Sequence, residues 1–292
     1  MKAARFSAIL LTGALILTEL AGLTQSPAMA ASAATYPLWD GKESVAEYAA
    51  RAGIRHTEIV LELGPKTQLK LTLIPAGRFV RGEPDKHWEV TLTRPFYLST
   101  TEVSQEQFEA VMATNPSRVA RSPEYPVDDV TWDEAMRFCE KLSQKTGRAI
   151  APPTEAQWEH AYRAGTTTVY FTGDDEASIR DYAWYAKTTD GSTATAKTMK
   201  VGTRKPNPWG LYDMAGNINE WCLDFFDLQT YASERVDPVG PKTGKIHVIK
   251  GGSVMQVTWI KPTFRRGVAP NYRFGMEASP MIIGFRVVAA LN

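Results

Sequence analysis

The segment with the densest set of reactive side chains is GGSVMQVTWIKPTFRRGVAP, residues 251–270. It carries a hydroxyl at Ser253, an amide at Gln256, an ammonium at Lys261 and guanidinium groups at Arg265 and Arg266, with Arg273 and Glu277 close behind. A carboxylate such as Glu277 can act as a general base near neutral pH when it sits in a partly dry pocket. On an open loop it is a solvated charge. Lys261 is either a surface charge or an anion-binding group. Trp259 and Tyr272 either stack on a flat ligand or pack inward. A zinc or non-haem iron site is not signalled. The four histidines, His56, His87, His160 and His247, are scattered, and neither HExxH nor CxxC occurs.

Such a loop needs a scaffold to fix it. The chain has 292 residues, 43% of them hydrophobic, with a formal net charge of +1. That is enough for one sizeable core. Near-neutral charge without long runs of one sign argues against nucleic acid as a partner. With 18 prolines, 21 glycines and 8 tryptophans, the composition suits an irregular, loop-rich fold better than a helix bundle.

Residues 1–30 differ in kind. Lys2 and Arg5 precede the apolar run AILLTGALILTELAGL, which ends at Ala28-Met29-Ala30. This reads as a secretory signal peptide cleaved near Ala30, giving an exported, periplasmic protein with no membrane attachment afterwards. The run is short for a bilayer span and carries Glu19; an uncut anchor is the alternative. Residues 31–56 form a lead-in with one short helix ending at Gly53, and residues 57–292 a single domain. Cys139 and Cys222 are the only cysteines. In an oxidising compartment they either close a loop of about 80 residues, worth about 4 kcal/mol, or stay separate buried thiols.

Alternation at Ile59, Leu61 and Leu63, a Gly64-Pro65 turn, and alternation again at Leu69, Leu71 and Leu73 predict a β-hairpin, with a third strand over 78–81. Ser104/Gln107, Thr131/Glu134 and Thr154/Gln157 are capping boxes, and they predict three helices. Val103 and Phe108 are spaced as a hydrophobic staple on the first. Trp132, Ala135, Met136, Cys139 and Leu142 share one face of the second, pointing Cys139 inward. From residue 166 onward long loops are expected on a few strands, the last near 282–289. Loops of that length call for an internal organiser.

Seven segments then occur in order over residues 58–290: IPAGRFVRG, RPFYLSTTEVSQEQFEAVM, YPVDDVTWDEAMRFCEKLS, PPTEAQWEHAYRAG, NPWGLYDMAGNINEWCLDFF, VIKGGS and GFRVV. Together they resemble the formylglycine-generating enzyme family, the sulfatase-modifying factors. The resemblance implies an α+β, loop-rich, C-type lectin-like single domain with three short helices, small antiparallel sheets and structural calcium. The implied calcium ligands are the side chains of Asp213 and Glu220 and the carbonyls of Gly216 and Ile218; a capped turn with Glu220 in a salt bridge is the other reading. A second, poorer match falls in 181–192, using Asp190.

Family members hold Cu(I) with two cysteines in a pattern like GGSxMCxxxxC. Gln256 and Lys261 stand there in this chain. An amide and an ammonium do not replace two soft thiolates, so copper is not expected. The family's iron-dependent branch carries its histidines on an extra helical domain, and neither iron nor a nucleotide cofactor is expected. Asn219 replaces the usual tryptophan beside the substrate groove. Val287 stands where the usual partner of Cys139 would be. Arg286, in GFR, is expected to tie loops to the core.

By resemblance to exported relatives that lack the copper pair, the expected activity is oxidation of a siderophore or peptide chromophore, of the dihydropyoverdine-to-pyoverdine type. Glu277, Ser253 and Lys261 would be catalytic, and Gln256, Trp259, Arg265, Arg273 and Asn219 substrate-binding. The alternative is a non-catalytic binding or accessory module for a periplasmic partner or metalloenzyme. The loop 255–280 discriminates: a convergent polar set favours a small-molecule or peptide substrate, and apolar residues favour an interaction surface.

Overall fold

The computed structural model describes residues 35–83, 86–189, 197–276 and 281–291, all within one compact unit, Ala31–Asn292. The predicted hairpin is present as β1 (Glu58–Glu62) and β2 (Gln68–Ile74), antiparallel with Leu61 opposite Leu69. β2 pairs with β5 (Phe96–Ser99), β5 with β11 (Val288–Ala290), and β11 with β6 (Ile150–Ala151), completing a five-stranded sheet. The third predicted strand is β3 (Gly77–Glu83), which folds back on β4 (Lys86–Leu92) as a separate two-stranded ribbon. A four-stranded sheet in the order β10 (Ile283–Gly284), β7 (Asn219–Phe225), β8 (His247–Lys250), β9 (Arg266–Val268) carries the functional loops.

All three capping boxes form, opening α2 (Gln105–Met112), α3 (Trp132–Thr146) and α4 (Glu155–Arg163). In α3 the Thr131 N–H donates to Glu134 at 2.9 Å, and the Glu134 N–H donates back to the Thr131 hydroxyl at 3.2 Å. Val103 and Phe108 are both buried, as the staple requires. The inner face of α3 is Ala135, Phe138, Cys139 and Leu142, so Phe138 takes the place expected of Met136. Phe138 stacks on Phe108 at 5.6 Å and meets Phe285 edge-on at 5.2 Å.

The short helix expected in the lead-in is α1 (Val45–Arg51), which opens with a fourth capping box at Ser44; Tyr48 is fully buried with its hydroxyl accepting from the Ala76 N–H. The structure differs from expectation at the C-terminal end. The C-terminal apolar run is not one strand. It breaks at Phe285-Arg286-Val287, with β10 parallel to β7 in one sheet and β11 antiparallel to β5 in the other. The physical reason is Arg286, whose side chain bonds to Glu220 of β7 in one sheet and to the Ser99 carbonyl of β5 in the other, so the chain passes from one sheet to the other at this residue. Three further short helices, α1, α5 (Glu176–Ile179) and α6 (Leu228–Ser233), lie among the described residues.

Candidate functional site

The loop leaving β8 is fixed by backbone contacts along its length. Gly252 has φ +69°, and a Cβ there would lie 2.8 Å from the Trp259 carbonyl carbon, so only glycine lets the two limbs of the loop close. The Val254 N–H donates to Asn217 at 3.1 Å, the Ala186 N–H to the Gln256 carbonyl at 3.2 Å, and the Tyr162 hydroxyl to the Ile260 carbonyl at 2.8 Å. Lys250 Nζ reaches the Pro262 carbonyl at 2.5 Å. Ser253 is fully buried, and its hydroxyl donates to Gln256 Oε1 at 2.5 Å. The two positions therefore bond to one another. Trp259 stacks on Phe264 at 4.5 Å with Arg266 over its ring, and Lys261 is half-buried on the same loop.

Other residues expected at the site face elsewhere. Arg265 turns inward and grips Glu155 through both oxygens at 2.8 Å. Arg273 is bound to Glu134 Oε1 at 2.6 Å and to the Asp129 carbonyl. Asn219 is fully buried; its amide donates to the Ile282 carbonyl at 3.0 Å and its Oδ1 has no partner. Tyr272 is buried, its hydroxyl accepting from the Met281 N–H at 2.8 Å, so it packs inward. Glu277 and Asp190 lie outside the described residues.

What surrounds this loop is mainly apolar. Ile218, Val254 and Ile282 form a buried floor, and Val119, Trp184, Met255 and Phe274 pack half-exposed around it. The Trp184 indole N–H donates to Thr203 Oγ1 at 3.0 Å, and the Arg204 guanidinium lies over its ring at 3.6 Å. Gly216 (φ +90°) runs so close beneath that a Cβ would sit 2.1 Å from the Trp184 carbonyl oxygen. Sequence reasoning missed two acids beside this surface. Asp128 accepts from the N–H groups of Arg118 at 2.9 Å and Val119 at 3.2 Å, while its buried Oδ2 has no partner. Burial lifts its carboxyl to about 6, against the pull of those two N–H donors. Asp129, at φ +59°, accepts from the Phe274 N–H at 2.6 Å and pairs with Arg118 at 2.8 Å. The signal in the sequence was the doublet within YPVDDVTW.

Beneath the loop lies a buried ionic core. Arg286 binds Glu220 through Nε and Nη2, each at 2.7 Å, and donates to the Ser99 and Tyr212 carbonyls at 3.1 Å. Trp158 Nε1 adds a third bond to Glu220 at 2.6 Å. This meets the expectation that Arg286 is a tie between loops and core. It does not fit the implied calcium set, because both Glu220 oxygens are already engaged by donors. Near this pair Asp213 Oδ1 and both oxygens of Glu102 have no partner. Burial raises Glu102 well above the usual carboxylate range, helped by the Asp213 and Glu220 charges. Among the described residues no three His, Cys, Asp or Glu are grouped to hold a metal.

A second cluster sets Glu155 and Glu159 among Arg81, Arg163, Lys250 and Arg265, at 2.8–3.7 Å. Tyr231 of α6 lies between two guanidinium groups, Arg81 at 4.0 Å and Arg265 at 4.1 Å. Cys139 and Cys222 are both free and buried. Their surroundings belong to separate parts of the core.

Comparison with known proteins places this arrangement. Residues 57–291 match the sulfatase-modifying factor enzyme 1-like domain. The formylglycine-generating enzyme of Thermomonospora curvata is 33% identical over 153 residues, covering 48% of each chain. The chain spans about half the length of the curated formylglycine-generating enzymes it matches. Treponema denticola variable protein 1 superposes with a TM-score of 0.72 at 26% identity, covering 81% of this chain and 100% of that one. PvdO from Pseudomonas aeruginosa superposes with a TM-score of 0.68 at 23% identity over the same shares, a likeness of fold. With its mixed α+β, C-type lectin-like architecture and a family match over nearly the whole described domain, the chain belongs to the formylglycine-generating enzyme, or sulfatase-modifying factor, family.

Proposed function

We propose that this chain is an exported binding member of its family, whose groove takes an extended peptide or a flat small molecule without a copper centre. The observation that carries the reading is the exchange of polar for apolar groups at the groove. Arg265, Arg273 and Asn219 are engaged internally, while Val119, Trp184, Met255 and Phe274 surround the floor of Ile218, Val254 and Ile282. Half-exposed aromatic and methionine side chains over a rigid base are what a binding surface uses. Gln256 and Lys261, at the copper positions, offer no thiolate. Export rests on the basic start, apolar run and Ala-Met-Ala end of residues 1–30. Structural calcium, as the resemblance implies it, would need Glu220 released from Arg286.

The test is a displayed heptapeptide library panned against the mature protein, with counter-selection on a Trp184→Ser, Phe274→Ser double variant. Enriched peptides that bind the parent and not the variant are expected. Enrichment no greater than on the variant ends the binding reading. Fractionation with N-terminal sequencing tests export, and a mature start near Ala31 is expected.

A second reading is favoured by Asp128. A carboxyl poised near 6 with an unpartnered oxygen beside rim residue Val119 suits proton abstraction from a catechol-like dihydro chromophore. In that oxidation two electrons and two protons leave the substrate, and dioxygen takes both to become hydrogen peroxide. Dihydropyoverdine incubated in air with the parent, Asp128→Asn and Glu277→Gln proteins decides it. A rate equal to that of buffer alone for all three removes the enzymatic reading.

A further inference from the structure

Arg204 stands apart from the other cations around the groove. Lys205 is paired with Asp181 at 2.8 Å, Arg118 with Asp129 at 2.8 Å, and Lys200 with Glu124. Arg204 lies over the Trp184 ring at 3.6 Å, and the carboxylate whose charge it influences, Asp181, is hydrogen-bonded to Lys205 instead. At that separation the guanidinium lies flat on the indole, because an edge-on group would drive a nitrogen into the ring. Its Nε is buried with no hydrogen-bond partner. A guanidinium fixed in this way, with no carboxylate hydrogen-bonded to it, is pre-organised for a partner that the fold does not supply.

The support under Arg204 is rigid. The Trp184 indole is tied to Thr203 at 3.0 Å, and its carbonyl accepts from the Asn217 N–H at 2.7 Å. The ring rests on the same three-residue floor as Val119, Met255 and Phe274. A flat donor fork therefore borders an apolar surface, and the distance between them is set by the fold. Carboxylates match such a fork in planarity and charge, and Arg binds them through two parallel N–H donors.

We propose that Arg204, seated on Trp184, is a carboxylate subsite at the edge of the groove, selecting ligands that carry a carboxylate next to an aromatic or aliphatic group. The inference rests on the binding reading of the groove and names the ligand chemistry that it takes. A free C-terminus after an apolar residue and an acidic side chain beside one both offer this chemistry.

The test uses defined probes on isotopically labelled mature protein, with the Trp184 indole N–H and the Met255 methyl followed by NMR. 3-Phenylpropionate is compared with 3-phenylpropionamide, and acetyl-Gly-Phe-OH with acetyl-Phe-Glu-amide. Acids are expected to bind at least about fivefold tighter than the matched amide. Arg204→Gln should remove that preference, whereas Lys205→Gln keeps it. The two peptides tell a C-terminal from a side-chain carboxylate. Equal binding of acid and amide, or a preference that survives Arg204→Gln, overturns the subsite and leaves the groove standing. If no probe moves either signal in the folded protein, the groove reading falls and the subsite with it.

Discussion

Arg286 and Glu220 meet side-on in the interior, with two guanidinium nitrogens each 2.7 Å from a different carboxylate oxygen. Neither side chain reaches solvent to any useful extent. The pair joins the C-terminal segment between β10 and β11 to the start of strand β7, and Trp158 adds α4 to the same carboxylate. It thus holds together the segments that carry the floor residues Ile218 and Ile282.

Breaking that pair from one side leaves a buried charge alone. Glu220→Gln or Arg286→Met should each lower unfolding stability by about 3–5 kcal/mol. Arg286→Lys should rescue little, because an ammonium cannot supply the side-on fork. Replacing both partners at once with Leu and Met should lose less than the sum of the single changes. Urea unfolding followed by tryptophan fluorescence measures all of these.

Copper uptake follows ligand softness. The parent protein should leave a Cu(I)–bathocuproine disulfonate complex intact, since Gln256 and Lys261 offer no thiolate. The double variant Gln256→Cys, Lys261→Cys should draw about one equivalent of Cu(I) from the same complex. Competition absorbance reads both outcomes, and depletion of the chelate by the parent would contradict the site described above.

Two carboxyls in one cluster should respond to pH with opposite signs. Burial, then the neighbouring Glu155 charge, raises Asp224 from 3.8 to about 7. A raised folded value means that its contribution is present below about 4 and is lost as pH climbs through 7. Burial also works to raise Glu155, but Lys250, Arg81 and Arg265 outweigh it and hold the group at about 2. Its contribution is present above 4.5 and is lost as pH falls toward 2. Asp224→Asn keeps an acceptor for the Glu155 N–H, which Asp224 now takes at 2.8 Å. The variant should therefore lose less stability between pH 5 and pH 8 than the parent does, by on the order of 2 kcal/mol. Urea midpoints at the two pH values check the sign.

The cysteines give a simpler readout. Cys139 is raised by burial, with Glu140 adding a little, and Cys222 is raised by burial and then by Asp224. Both thiols should be inert to Ellman's reagent in the native protein and give two equivalents in denaturant. Non-reducing mass spectrometry after alkylation should find no linkage between them. One linked pair would show that the two parts of the core meet where the structure keeps them apart.

Local rules made much of the frame legible. The capping boxes at Ser104, Thr131 and Thr154 rest on contacts three residues apart, so α2, α3 and α4 could be read from spacing alone. The β1–β2 hairpin was readable for the same reason. The site was less so. Whether Arg265 faces the groove or Glu155, 110 residues away, is decided by long-range packing, and no periodicity records it. Arg273 met the same fate with Asp129 and Glu134. The break at Arg286 was hidden because IIGFRVVAAL has strand composition throughout. The carboxylate that holds Arg286 there, Glu220, lies 66 residues earlier.

The clearance at Gly216, 2.1 Å from the Trp184 carbonyl oxygen to a would-be Cβ, divides the surface into what can and cannot drift. A side chain at 216 would push out the wall that bears Trp184, so inheritance there is rigid. Positions 204, 205 and 255 border the same wall with their side chains outside that closure. A lineage could rewrite them, and an engineer could randomise them, acquiring new recognition while the frame stays as it is.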